Sequence, residues 1–219
     1  MDTTHYISTE VLTLEQLQQI ISQGKSIALS EEAKVNIQKC RTYLDNKMAS
    51  NDEPIYGINT GFGSLCNVKI STENLSKLQE NLVKSHACGT GDEVPSDIVQ
   101  LMLLLKIQSL SYGHSGVQLE TVERLVDFYN KGIYPVIYTQ GSLGASGDLA
   151  PLAHLSLPLL GEGEVYFEGK KVHSSEVLKQ FNWQPIVLQS KEGLALLNGT
   201  QFMSAYGCYV LLKAKKYAY

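Results

Sequence analysis

Residues 96–111 read SDIVQLMLLLKIQSLS, a stretch that is apolar on almost every side when wound into a helix. A helix lying on a surface keeps one polar face, whereas one without such a face is surrounded by protein. The stretch therefore reads as a central, buried helix, and the remaining elements have to be arranged around it. With 219 residues the chain is long enough to bury a real core, as one large domain or two small ones.

Helical periodicity dominates the rest of the chain. Residues 14–22 open it, and a second helix starts at Ser30, a plausible N-cap with Glu31 and Glu32 at the positive end, and runs to about Met48. Residues 51–67, NDEPIYGINTGFGSLCN, break the pattern with glycines, a proline and asparagines and read as a loop. Helices follow at 71–88 and at 118–131, the latter amphipathic and capped by Gly132. DLAPLAHLSLPLL, from Asp148, reads as another buried helix with Pro151 near its first turn. EVYFEGKKVH, residues 164–173, is the one convincing hairpin, turning at Glu168-Gly169. A short helix at 174–181 and a long one at 200–219 complete a mainly α fold. The last helix ends without a cap signal and stays apolar on one face, which suggests a chain cut from something longer.

Composition sets further bounds. The chain is 43% apolar and 18% charged with a net charge of -4, and its 18 Lys and Arg form no basic block, which argues against nucleic acid. No apolar run approaches the ~20 residues needed to cross a bilayer. The N-terminus, MDTTHYISTEVLT, lacks the basic and apolar regions of a secretory signal. Cys40, Cys66, Cys88 and Cys208 show neither C-x-x-C pairing nor histidines at zinc spacing, so reduced, mostly buried thiols in a cytoplasmic protein are expected, with no metal site.

GSLGASGDLAP, residues 141–151, is the stretch most suggestive of chemistry. Its glycines fit neither dinucleotide nor P-loop spacing, and Asp148 stands where a phosphate would rest. A serine-hydrolase elbow is disfavoured because no strong strand precedes Ser146 and His154 follows within the next helix. Two readings remain. Ser146 caps the helix that begins near Asp148, or the Ala145-Ser146-Gly147 tripeptide cyclises by attack of the Gly147 nitrogen on the Ala145 carbonyl. The second requires minimal side chains and a sharply bent backbone, and loss of two waters then leaves an alkene conjugated to an imidazolone, a strong electrophile.

GSLGASGDLAPLAHLSLPLLGEG resembles the signature of the aromatic amino acid ammonia-lyases, whose 4-methylideneimidazol-5-one (MIO) group forms from that tripeptide. YGINTGFG at 56–63 is similar to the family's tyrosine loop, SHACGTGD at 85–92 resembles its histidine-using branch, and EGLALLNGTQ at 192–201 resembles its asparagine motif. The resemblance runs from about residue 14 to the end of the chain. It implies the helical N-terminal domain of the ammonia-lyase/fumarase-like superfamily, with residues 1–199 as the MIO-bearing domain and 200–219 as the start of a central long-helix bundle whose remainder is absent.

The resemblance also implies roles. Ala145, Ser146 and Gly147 would form the MIO group, Ser146 supplying the methylidene carbon, with no metal and no dissociable cofactor. Tyr56 would be a general base or proton carrier near the substrate's β-carbon, with Gly57, Gly61 and Gly63 letting the loop close. His86 would lie beside the substrate's side chain or amino group; otherwise it is a structural residue at a helix end. Asn198 would hydrogen-bond the MIO region or the substrate carboxylate, or equally serve as a turn residue before Gly199, with Gln201 a weaker candidate nearby. His154 would support its helix.

The implied reaction is non-oxidative deamination of L-histidine to trans-urocanate and ammonia, a step of histidine degradation, in a homotetramer whose subunits share active sites. The alternatives are a tyrosine-using lyase or aminomutase of the same family, and a folded fragment that does no chemistry. The chain alone is expected to be inactive, and its tripeptide to stay uncyclised, because the strain that drives closure depends on the surroundings.

Overall fold

The computed structural model describes residues 3–50, 53–60 and 70–218. Helix α4 (Ser96–Ser111) is the axis of the fold, as its composition requires. Ile98, Val99, Leu101, Met102, Leu103, Leu104, Ile107 and Leu110 are all buried, each contributing up to about 1.5–3 kcal/mol of hydrophobic stabilisation before chain entropy is counted. Around it pack α2 (Glu31–Ser50), α5 (Leu119–Lys131) and α9 (Gln201–Tyr217). Helix α5 turns Val122, Leu125, Phe128 and Tyr129 inward and stops at Gly132, whose left-handed φ of 64° closes the C-terminus. Helix α1 (Leu14–Ser22) starts at a capping box between Thr13 and Gln16. Among the described residues no helix is long and apolar enough to cross a membrane.

Strands are short and peripheral. β1 (Thr4–Ile7) pairs in parallel with β2 (Ser26–Leu29), Thr4 opposite Ser26, across the α1 connection. β3 (Thr90–Glu93) pairs antiparallel with β5 (Tyr138–Gln140). The expected hairpin forms β6 (Glu164–Phe167) and β7 (Lys170–His173), with Glu168 and Gly169 both at positive φ in the turn, and β4 (Tyr134–Pro135) adds to its edge. The hairpin is thus one of several strand pairs. The others escape a reading by alternation because they pair with segments distant in the chain, and β4 and β5, with two and three residues, are too short to show a period.

Three further expectations are revised. The helix after the glycine-rich stretch is α6 (Leu149–Ser156), continued by a 3-10 turn at Leu157–Leu160, and its N-cap is Asp148, not Ser146. EGLALL, read only as part of a motif, forms helix α8 (Glu192–Leu197). Of the cysteines, Cys88 is exposed and Cys40 and Cys208 are half-buried, so none of these three is a core thiol; Cys66 lies outside the described residues. Helices α3 (Thr72–His86) and α7 (Ser174–Gln180) fall where the periodicity placed them.

These elements bring three loops together. The β3–β5 pairing sets the end of α3 beside the start of the glycine-rich turn. Helix α8 packs on both α3 and α6 and delivers the α8–α9 junction to the same place.

Candidate active site

The turn at 141–147 folds back on itself. Gly141, Gly144 and Gly147 take φ values of 131°, 74° and 88°, and Gly144 bridges to Gly147 with the Gly147 N–H directed at the Gly144 carbonyl, 3.4 Å away. The Ser142 hydroxyl ties the two ends, accepting from Gly144 N–H at 3.3 Å and donating to the Gly147 carbonyl at 3.2 Å. Ala145 and Ser146 project from this bend and are exposed. A cavity of about 230 Å³ is lined by residues 141–147 and Leu149.

The α8–α9 junction grips the turn from behind. Asp148 N–H donates to the Gly199 carbonyl at 2.8 Å, and a Cβ placed on Gly147 would lie 2.5 Å from that same carbonyl oxygen. Only glycine fits there, by φ and by space. The buried Asp148 carboxylate accepts from Met203 N–H at 3.0 Å, satisfying one of the open amides in the first turn of α9, where a negative charge is favoured. A bent, side-chain-poor Ala145-Ser146-Gly147 segment is what an MIO precursor requires, and these residues fit that group.

The junction is itself anchored in the core. Lys106, fully buried in α4, donates from Nζ to the carbonyls of Ala195 and Asn198, each at 2.8 Å. Burial pushes its amine down to about 7. At the other end of α8, the buried Glu192 carboxylate accepts from Gln118 N–H and side chain, Thr121 Oγ1 and Gln189 N–H at 2.7–2.9 Å. Gln79 Oε1 accepts from Gly193 N–H at 2.9 Å. The Asn198 side chain is exposed beside the turn, its backbone held by Leu194 and Lys106. Gln201 Oε1, buried close to Gly199, has no hydrogen-bond partner.

His86 ends α3, and its Nδ1 lies 2.8 Å from the Leu82 carbonyl, so Nδ1 carries the proton and donates. In the neutral ring Nε2 is then an acceptor. Three residues on, Gly89 N–H donates to His154 Nε2 at 3.0 Å, which fixes that imidazole as neutral with its proton on Nδ1; burial also lowers its pKa. A Cβ on Gly141 would come within 3.0 Å of Gly89 Cα, so the His86 loop and the glycine-rich turn touch backbone to backbone. His154 thus links two motifs as well as supporting α6.

Tyr56 lies on the turn at 56–59 and is 59% exposed. That turn is built by buried Asn59, whose Oδ1 accepts from Ile55 N–H at 2.6 Å and whose Nδ2 donates to the Glu53 carbonyl at 2.9 Å, while its own carbonyl accepts from Ile70 N–H at 2.8 Å. Gly57 takes a positive φ of 73°; Gly61 and Gly63 lie outside the described residues. The structure therefore gathers 145–147, Asn198, Gly199, Gly89 and His154 through named contacts, with His86 at the adjoining helix end and Tyr56 on a turn of its own. Among the described residues no group of three or more His, Cys, Asp or Glu is placed to hold a metal ion.

Lys106, Asp148 and Glu192 are the supporting residues that the sequence reading passed over. For Lys106 a signal existed, since it is the one cation in an otherwise apolar helix. Asp148 and Glu192 could be singled out only by knowing which backbone amides face them.

Comparison with known proteins places this geometry. The family model described as aromatic amino acid lyase matches residues 12–219. Histidine ammonia-lyase of Staphylococcus aureus (strain JH9) is 43% identical over 216 residues, 99% of this chain and 43% of the relative. Among solved structures, histidine ammonia-lyase from Trypanosoma cruzi superposes with a TM-score of 0.88 at 37% identity, over 98% of this chain and 41% of that one. Tyrosine aminomutase from Streptomyces globisporus gives 0.88 at 35% identity, over 95% and 39%. The chain spans less than half the length of these relatives. With the glycine-rich turn, the asparagine junction and the histidine loop meeting in one place, and with the match extending over nearly all its residues, the chain belongs to the aromatic amino acid lyase family.

Proposed function

We propose that this chain is the electrophile-bearing portion of a histidine ammonia-lyase, removing ammonia from L-histidine to leave trans-urocanate. The observation that carries the reading is the turn at 145–147, bent, exposed and backed by the Gly199 carbonyl. Ring closure would join Gly147 N to the Ala145 carbonyl carbon, with one water lost from the ring and one from Ser146. The MIO group so formed supplies electrophilic activation of the substrate, making its amine a better leaving group.

Residues of this chain contribute binding and proton-handling groups to the site. Asn198 offers an amide with donor and acceptor to the substrate carboxylate or to the turn. His86 presents Nε2 as an acceptor to a substrate N–H, which suits an imidazole or an ammonium group. Tyr56 handles the β-proton. The contacts that bend the tripeptide, from Ser142, Asp148 and Gly199, all come from within this chain. These contacts favour ring closure over the uncyclised state expected from the sequence, while turnover by the chain alone is not expected. The reading carries with it a cytoplasmic homotetramer, residues 1–199 as the MIO-bearing domain and residues 200–219 as the opening of a long-helix unit.

The likeness to tyrosine aminomutase supports a second reading, with tyrosine as substrate. The test is ammonia release by the full-length protein, of which we propose this chain is part, from L-histidine and L-tyrosine in parallel. Preference for histidine is the expected result. Preference for tyrosine, or its isomerisation to a β-amino acid, would sink the histidine assignment.

A further inference from the structure

Lys106 is a costly residue to place in the middle of α4. Met102, Leu103, Leu105, Ile107 and Leu110 surround it along the helix, and among the described residues no carboxylate is within ion-pair distance. Burying an amine without an opposite charge is unfavourable, and for α4 alone a methionine would pack as well. What the amine obtains is the pair of carbonyls at the C-terminal end of α8, Ala195 and Asn198, each at 2.8 Å. Such carbonyls lack partners within their own helix.

The second acceptor is the informative one. Asn198 is joined directly to Gly199, and the Gly199 carbonyl both receives Asp148 N–H at 2.8 Å and lies against Gly147. A continuous path therefore runs from the core amine through the Asn198–Gly199 peptide unit and the adjoining Gly199 carbonyl to Asp148 N–H, the amide that follows the tripeptide. We propose that Lys106 is a positioning residue for the site: it fixes the peptide unit between Asn198 and Gly199, so that the Asn198 side chain and the Gly199 carbonyl keep their places against residues 145–147. Lys106 touches neither substrate nor tripeptide, and acts through that peptide unit. What the positioned turn does chemically rests on the reading proposed above; the positioning itself rests on the contacts.

Amide hydrogen exchange followed by mass spectrometry tests this on the 219-residue chain and its Lys106→Met variant, with the mass at 145–147 measured on the same samples. Exchange at Asp148 and at 199–204 is expected to quicken at least tenfold in the variant while α5 amides keep their rates, and the fraction of tripeptide lacking two waters is expected to fall. Acceleration of all amides together, α5 included, would show a merely structural role and overturn the proposal, as would unchanged exchange at Asp148. If the unaltered chain retains both waters while the local acceleration is seen, the electrophile reading fails and the positioning role stands. Should Lys106→Met not fold, Lys106→Gln keeps N–H donors on a shorter arm and carries the same readout. Failure of both variants to fold would assign Lys106 to the global fold and overturn the local claim.

Discussion

Replacing Gly147 with alanine puts a Cβ 2.5 Å from the Gly199 carbonyl oxygen on a backbone held at φ 88°. The obstructing atom is backbone and cannot rotate aside. The left-handed conformation alone costs an L-residue roughly 1–2 kcal/mol. Relieving the clash moves the Gly199 carbonyl away from Asp148 N–H, and a buried donor left unpaired costs about 1–3 kcal/mol more. Gly147→Ala should therefore destabilise the chain by roughly 2–5 kcal/mol. Gly144→Ala is the control: its φ is 74° but nothing lies within 4 Å of the added Cβ, so only the conformational part, about 1–2 kcal/mol, applies. Urea denaturation of the three proteins, read by circular dichroism, separates the two contributions. If Gly147→Ala proved no less stable than Gly144→Ala, the claimed contact between the turn and the α8–α9 junction would be refuted.

Two further outcomes follow from the same geometry. Glu192→Ala leaves four donors facing a void and should lose on the order of 3 kcal/mol or more, with Glu192→Gln losing less; a loss below about 1 kcal/mol in denaturant titration would contradict the network's importance. His154 is native in its neutral form, with a folded pKa held below 6.5 by burial. The unfolded chain takes up that proton first, so the stabilisation is complete above about 6.5 and is lost as the pH falls towards the lower folded value. His5, held down by burial and then by Lys25, acts with the same sign. The Tm should thus drop between pH 7 and 5, and His154→Gln should flatten the drop; a variant with an unchanged pH slope would count against the His154–Gly89 link.

Much of the scaffold was legible because its signals are local. Residues 96–111 form α4 as read, since a helix apolar on almost every side has one place to go, and Gly132 and Glu168-Gly169 end or turn the chain by backbone conformations written in the residue types. The β1–β2 pair was not legible, because parallel strands 22 residues apart gain their order from packing across α1 and not from alternation. Nor was α8, whose six residues are too few to show a helical face and which owes its ends to Glu192, Gln79 and Lys106. At the site, the motifs named Ala145, Ser146, Gly147, His86, Asn198 and Tyr56 without placing them. That Gly147 is pressed against Gly199, or that His154 holds Gly89, depends on contacts 52 and 65 residues apart in the chain. Lys106 was passed over for a physical reason: a lysine among leucines ordinarily extends its amine to water, whereas here the amine meets two helix-end carbonyls.

The proposed function depends above all on the Ala145-Ser146-Gly147 turn, bent by residues of this chain, becoming an electrophile. Tandem mass spectrometry of the peptide spanning 141–151 from the purified chain tests it most directly. A deficit of two waters localised to 145–147 is the expected result. A peptide carrying the full mass of the unmodified sequence would contradict it.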